Sequence, residues 1–232
     1  MDKIKYSFHN NRRIDRLLNK MHLTFILKIK DKYKTSQNIK KNKKKAYRML
    51  EIGPGLNRIK DFETLNIIDG RDVDYIHDLT KKLPFEDNSF DIIYASHVLE
   101  HVPWHLQKEI FNELHRILKA GGTLEIWVPD GWKIIKNVYD YEVNNIDNIH
   151  LDGWYRFNEE KDVIIWANGR IFTYGDGSGN IYHPNWHKTI YTPKFLYSLF
   201  DKTGFKHIEQ MSNEEVRGYD HGWINLGIKG TK

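Results

Sequence analysis

The chain has no cysteine, which excludes disulfides, thiolate metal sites and cysteine nucleophiles together. It also lacks any run near the roughly 18 apolar residues that a membrane span needs, and its charged N-terminus is unlike an export signal. A cytoplasmic protein is therefore the expectation. At 232 residues the chain suits one domain with an appendage, and it is long enough to bury a core.

Acids are missing from one region only. Residues 1–48 hold sixteen Lys or Arg against Asp2, Asp15 and Asp31, a balance of +13, and the remainder holds 20 against 28, or −8. The sequence thus divides into a basic arm, 1–46, and an acidic domain, 47–232. In the arm, Ile14, Leu18, Met21, Phe25, Ile29 and Tyr33 recur every three or four residues, which predicts an amphipathic helix whose apolar stripe lies on the domain. Asn38 to Lys45 reads as a flexible connection. A basic helix of this kind also fits an anionic partner or peripheral attachment to the inner membrane surface, and both readings stay open.

From residue 47 the pattern alternates strand and helix. Apolar runs are expected as strands at Arg48–Ile52, Thr64–Ile68, Val73–His77, Phe90–Ala95, Thr123–Val128, Phe205–Gln210 and Trp223–Ile228. Helices are expected at Trp104–Leu118, Trp132–Tyr141 and from Thr192-Pro193 to about Thr203. This is an α/β protein with a largely parallel sheet covered on both sides. Only eight residues, Leu56 to Glu63, follow the glycines of the first turn before the second run, too few for a full crossover helix. Residues 142–192 are rich in Trp, Tyr, His, Asn and Gly without a sustained period. They read as an insertion over the ligand edge of the sheet, suited to a sugar or other polar ring, or equally to a subunit interface, so an oligomer stays open.

In such sheets ligands lie beyond the carboxyl ends of the strands, where Glu51, Asp69, Asp78, Ser96, His97 and Asp130 all fall. Gly53 and Gly55, flanking Pro54, let the backbone turn beside a ligand without a Cβ in the way. Asp69 stands where a carboxylate could accept from ribose hydroxyls, and is equally a turn residue in Asp69-Gly70.

The fragments LEIGPG (Leu50 to Gly55), HDL (His77 to Leu79), LPFEDNSFDIIYASHVLEHV (Leu83 to Val102), ELHRILKAGGTLEIWVPD (Glu113 to Asp130) and TPKFLYSLFDKTGF (Thr192 to Phe205) occur in an order that resembles the class I S-adenosylmethionine-dependent methyltransferases of the type 11 small-molecule group. The resemblance covers about residues 47 to 228 and implies a Rossmann-like sheet of about seven strands with a shortened first helix. It also implies S-adenosylmethionine as cofactor. Glu51, Gly53, Pro54 and Gly55 would meet its methionine end, Asp69 (with Asp72 as runner-up) its ribose, and Asp78 and Leu79 its adenine. Ser96 and His97 would stand beside the transferred methyl. A third glycine is replaced in GPGLN, and the short connection leaves the register of Asp69 open. Relatives among sugar-modification genes share that short connection, which points to a hydroxyl of a small polar acceptor, a sugar or nucleotide-sugar.

A hydroxyl nucleophile needs a base, and histidine titrates nearest neutrality. His97 and His187 are the candidate catalytic residues. No metal is assigned, because the adjacent spacing of His97, Glu100 and His101 without a companion is poor support. The alternatives are a nucleic-acid methyltransferase and a non-catalytic cofactor-binding scaffold. The first rests on the basic arm, against an acidic body that lacks the Asn/Asp-Pro-Pro-aromatic tetrapeptide of adenine-amino methylases. The second rests on the truncated first helix.

Overall fold

A computed structural model describes residues 24–56, 58–147, 149, 151, 158–172 and 182–232. The order of elements is α1 (Thr24–Asn42), β1 (Met49–Ile52), β2 (Glu63–Asn66), β3 (Tyr75–Ile76), β4 (Phe90–Ser96), α2 (Gln107–Ile117), β5 (Leu118–Pro129), α3 (Gly131–Glu142), α4 (Val163–Phe172), α5 (Pro193–Lys202), β6 (Lys206–Met211) and β7 (Asn225–Thr231). Two 3-10 turns, Leu99–His101 and Trp104–Leu106, lie between β4 and α2. The seven strands form one sheet in the order β3-β2-β1-β4-β5-β7-β6. Every neighbouring pair from β3 to β5 is parallel, and β7 runs antiparallel between β5 and β6. This is the Rossmann-like architecture expected from the sequence. Among the described residues no helix joins β1 to β2, as the short connection implied.

The central strands are apolar because both faces are covered. Leu50, Ile52, Ile93, Ala95, Leu124, Ile126 and Val128 are buried, and Ile110, Phe111, Leu114 and Ile117 of α2 pack into the same core. The spacing of that helix stripe puts these four side chains on one face. Strand β5 starts earlier than the expected Thr123 and takes in the run Lys119-Ala120-Gly121-Gly122. The register there moves from Phe90↔Leu118 to Ile92↔Thr123, and the extra residues are accommodated with Gly121 at φ 75°. A positive φ of that kind is where glycine spares the chain a Cβ clash.

The arm corrects two expectations. Helix α1 continues through Asn42, so the segment after Asn38 is helical rather than a flexible connection. Its contact with the domain is polar as well as apolar. Asn38 Nδ2 donates to the Asp74 carbonyl at 2.8 Å, Ile76 N donates to Thr35 Oγ1 at 3.0 Å, and Asn42 Nδ2 donates to Tyr75 Oη at 2.9 Å. These bonds cover the edge strand β3, whose outer backbone groups would otherwise be open to pairing with another chain. Ile29 and Tyr33, members of the expected buried stripe, are exposed. The earlier members Ile14, Leu18 and Met21 lie outside the described residues.

Under α1 is a buried polar knot. Arg48 Nε and Nη2 donate to the two oxygens of Glu63 at 3.1 and 2.9 Å, the Tyr75 hydroxyl donates to the same carboxylate, and the Arg48 guanidinium lies 4.3 Å from the centre of the Phe90 ring. Glu63 is fully buried, so the two-point geometry of the arginine fork is what makes its charge tolerable. No helix among the described residues is long and apolar enough to cross a membrane.

Candidate active site

The strand order reverses between β1 and β4, and the turns leaving those strands meet there. In open parallel sheets that switch point is where a ligand can enter between diverging connections. Gly53, the first residue after β1, has φ +70° and donates its N–H to the Leu65 carbonyl at 2.8 Å. A Cβ on Gly53 would overlap Val98 Cγ2, whereas one on Gly55, at φ +59°, would meet nothing within 4 Å. Pro54 between them is buried. Glu51 is also buried, and its Oε2 accepts from Ile59 N at 2.8 Å. Burial pushes its carboxyl pKa up, against that hydrogen bond and the charge of Arg58. Glu51 therefore ties down the loop that stands in place of a first helix.

The next two strands hold the other expected contacts. Strand β2 ends at Asn66, paired in register with Ile76, and Asp69 comes three residues later. The Asp69 carboxylate is 2.5 Å from Lys34 Nζ and 3.9 Å from Lys30 Nζ on α1. Asn66 is thus the polar residue at the strand end. It falls inside the apolar run Thr64–Ile68, which extends two residues past the end of the strand. Asp72, the runner-up, accepts from the Thr64 hydroxyl through its carbonyl. Asp78 follows β3, with Oδ1 accepting from Thr80 N at 2.9 Å and Thr80 Oγ1 at 2.8 Å, which fixes the plane of its carboxylate, and Leu79 beside it is buried.

Beyond β4 the structure gathers histidines that are far apart in sequence. Ser96, the last residue of β4, is partly buried. His97 has φ +53°, a left-handed conformation that is costly for a residue with a Cβ and is met at sites where a side chain must be aimed. Its Nε2 lies 2.9 Å from Asn225 Oδ1, and its Nδ1 lies 3.4 Å from Glu100 Oε1. The His221 ring stacks on it with centroids 3.6 Å apart. His101 Nε2 stands 4.0 Å from the same Glu100 oxygen, and the His187 ring is 5.0 Å from that of His101. His187 Nδ1 lies 2.9 Å from the Arg170 carbonyl. The two candidate bases, ninety residues apart, thus share one buried carboxylate.

Gln107 holds this arrangement in place. Its Nε2 donates to the carbonyls of Leu99 and Val102 at 3.0 Å and to Thr189 Oγ1 at 3.2 Å, and its Oε1 accepts from the Tyr191 hydroxyl. The backbone N–H groups of Lys188 and Thr189 donate to the Glu100 carbonyl at 2.7 and 3.2 Å. Burial alone would raise the Glu100 pKa, but the rings of His97, His101 and His187 outweigh it and hold the carboxyl at about 2. Burial lowers His187 to about 4, in spite of Glu100, and lowers His221 to about 4, with His97 adding to the effect. Glu100 and His221 had no place among the expected site residues, and only the proximity of Glu100 to two histidines hinted at its role.

Residues 36–126 match the family described as Methyltransferase domain, type 11. That stretch is similar to the S-adenosylmethionine-dependent class I methyltransferases. The match runs from within α1 to the middle of β5 and so takes in Gly53, Asp78 and Glu100. Among similar proteins, a demethylmenaquinone methyltransferase of Listeria welshimeri is 37% identical over 96 residues, covering 39% of this chain and 36% of the relative. An uncharacterised protein of Methanocaldococcus jannaschii is 32% identical over 153 residues, covering 56% and 60%. A solved S-adenosylmethionine-dependent methyltransferase of Thermotoga maritima aligns over 94% of this chain and 97% of its own, with a TM-score of 0.47 and 19% identity. The chain spans 34–36% of the length of the demethylmenaquinone methyltransferases it matches.

The strand-end position of Asn66 leads to a comparison of two variants. Asn66→Ala is expected to weaken S-adenosylmethionine binding several-fold, the loss of one hydrogen bond of about 1 kcal/mol. Asp69→Ala, which breaks an ion pair with α1, is expected to leave affinity within about twofold. Calorimetric titration of the two variants checks the assignment, and the reverse ranking would return the ribose contact to Asp69.

Proposed function

We propose that the chain methylates a hydroxyl of a small polar acceptor, a sugar or nucleotide-sugar, with S-adenosylmethionine as donor. The observation that carries this reading is the pairing, at one sheet edge, of the Gly53-Pro54-Gly55 turn with a buried carboxylate–histidine cluster. The cofactor fits the residues present: Gly55, with nothing within 4 Å of its Cβ position, leaves room for close approach of its methionine end, Asn66 or Asp69 would hold its ribose, and Asp78 with Leu79 its adenine. When bound, it supplies a methyl group on a sulfonium, an electrophile that needs an in-line nucleophile and no further activation.

The chain's own contribution is then to orient the acceptor and take its proton. A neutral imidazole beside a carboxylate can accept a proton because the carboxylate stabilises the resulting imidazolium. His97 Nδ1 and Glu100 have that relation, and Nε2, now 2.9 Å from Asn225 Oδ1, would exchange that partner for the acceptor hydroxyl. His187, with its pKa lowered to about 4, is the weaker base at neutral pH, so we assign it to holding the cluster. Trp186, which is partly exposed, would cover the acceptor, and burial there would exclude water from the transfer.

A second reading has an observation of its own. The similarity to a demethylmenaquinone methyltransferase favours a carbon of an aromatic ring as acceptor. The two readings separate by incubating the protein and isotopically labelled S-adenosylmethionine with nucleotide-sugars and, in parallel, with a reduced demethylated quinone. Carbon NMR of the product tells a methyl on oxygen from one on carbon. Product from the sugars alone supports the proposal, and product from the quinone alone replaces it. The basic arm is proposed to touch an anionic partner or lipid surface, and salt-dependent binding to anionic vesicles that is lost on deleting residues 1–23 would bear this out.

A further inference from the structure

We propose that Glu100, His101 and His187 bind one divalent transition-metal ion of the zinc type, a site made of one carboxylate and two imidazoles. One ligand atom from each of the three lies within 4.8 Å of the others. Around a tetrahedral ion with bonds of about 2.1 Å, ligand atoms stand about 3.4 Å apart, so the group closes on an ion through small side-chain rotations. The spacing of Glu100 and His101 supplies only two ligands, and the fold supplies the companion, His187, from 86 residues further along the chain.

The tautomers point the same way. His187 Nδ1 faces the Arg170 carbonyl at 2.9 Å. A carbonyl only accepts, so Nδ1 carries the proton and Nε2 carries the lone pair. A metal-binding histidine has this arrangement, its outer N–H held by a backbone carbonyl or carboxylate so that the inner nitrogen is aimed at the ion. His97 follows the same rule one step out. Asn225 Nδ2 donates to Asp220 Oδ1 at 2.7 Å, which turns Asn225 Oδ1 toward His97 Nε2. His97 Nε2 is therefore the donor, and Nδ1 faces Glu100 at 3.4 Å.

Among the described residues the ion-pair partners of the buried Glu100 carboxylate are imidazoles, His97 at 3.4 Å and His101 at 4.0 Å. Glu100 is 1% exposed, and neither of its side-chain oxygens accepts a hydrogen bond of good geometry among the described residues. A buried anion needs a counter-charge close by. A divalent ion supplies it from the midst of the three ligands. The nitrogen and oxygen donor set suits zinc, iron(II), cobalt or nickel, and the chain has no thiolate to favour copper(I). A small cavity lined by Glu100, Gly131, Arg170, His187, Thr189 and Tyr191 adjoins the cluster, leaving room for a water or an acceptor oxygen as a fourth ligand.

The test uses the full chain, stripped with a chelator and dialysed, without S-adenosylmethionine, so its outcome is separate from that of the methyl-transfer reading. Zinc is titrated by calorimetry and cobalt(II) by visible absorption, whose intensity and position report four-coordinate nitrogen and oxygen ligation. We expect one equivalent of each per chain, a fall in affinity of at least tenfold in both His187→Ala and Glu100→Gln, and no change in the surface control His207→Ala. Circular dichroism establishes that each variant is folded, and the wild-type stoichiometry decides the matter if a variant is not. A folded wild type that takes up neither ion would overturn the proposal, as would uptake that survives both substitutions.

Discussion

Glu63→Ala should lower the free energy of unfolding by about 3–5 kcal/mol, the cost of stranding a buried charge. The substitution leaves the Arg48 guanidinium, whose side chain is 7% exposed, without its two-point partner, and it removes the acceptor of the Tyr75 hydroxyl. The knot joins β1, β2 and β3 and is roofed by Asn42 of α1, so the loss should also free the helix from the edge strand. The exposed pair Lys43–Glu86, at 2.6 Å, offers the contrast, and Glu86→Ala should change stability by no more than about 0.5 kcal/mol. Urea denaturation of the three proteins measures both.

The same pair has a pH signature. Burial would raise the Glu63 pKa from 4.5, but hydrogen bonds from Arg48 and Tyr75 outweigh burial and lower it. A carboxyl whose folded pKa lies below its unfolded value contributes stability that is present above the unfolded pKa and is lost as pH falls through the folded one. The gap between wild type and Glu63→Ala should therefore be full above pH 4.5 and shrink at more acid pH. A gap independent of pH would mean that Glu63 acts by packing rather than charge.

Gly53→Ala should weaken S-adenosylmethionine binding by about a hundredfold, and Gly55→Ala by less than about tenfold. Both glycines have positive φ, which costs an L-residue roughly 1–2 kcal/mol. Only at Gly53 would the new methyl overlap Val98, just before the turn that carries Glu100. Relief of that overlap moves either the cofactor turn or the Val98 segment, at a further cost of about 1–3 kcal/mol. Equal losses at the two positions would show that backbone strain alone decides affinity there.

How far the sequence could be read depended on the range of the interactions. The strands were legible because a run such as Phe90–Ala95 is apolar throughout only when both faces are covered. The helices α2 and α5 were legible from their stripes and from the Thr192-Pro193 start, where Thr192 caps the helix and Pro193 opens it. The helical continuation of α1 past Asn38 was not, because the contacts that order it, Asn38 to Asp74 and Asn42 to Tyr75, are made thirty-odd residues away. The glycine turn and Asp78 could be found from local chemistry. The convergence of His97, His101 and His187 on Glu100 could not, since nothing near residue 187 signals that its backbone is held against residue 100 by Gln107 and Tyr191.

The central claim is that the chain binds S-adenosylmethionine at the switch point between β1 and β4, and one titration tests it most directly. The purified full chain is titrated by calorimetry with S-adenosylmethionine, with its demethylated product, and with NAD as a control for another ligand of glycine-turn folds. The account predicts saturable one-to-one binding of the first two and none of NAD. Binding of NAD alone, or of none of the three by a folded protein, would contradict it.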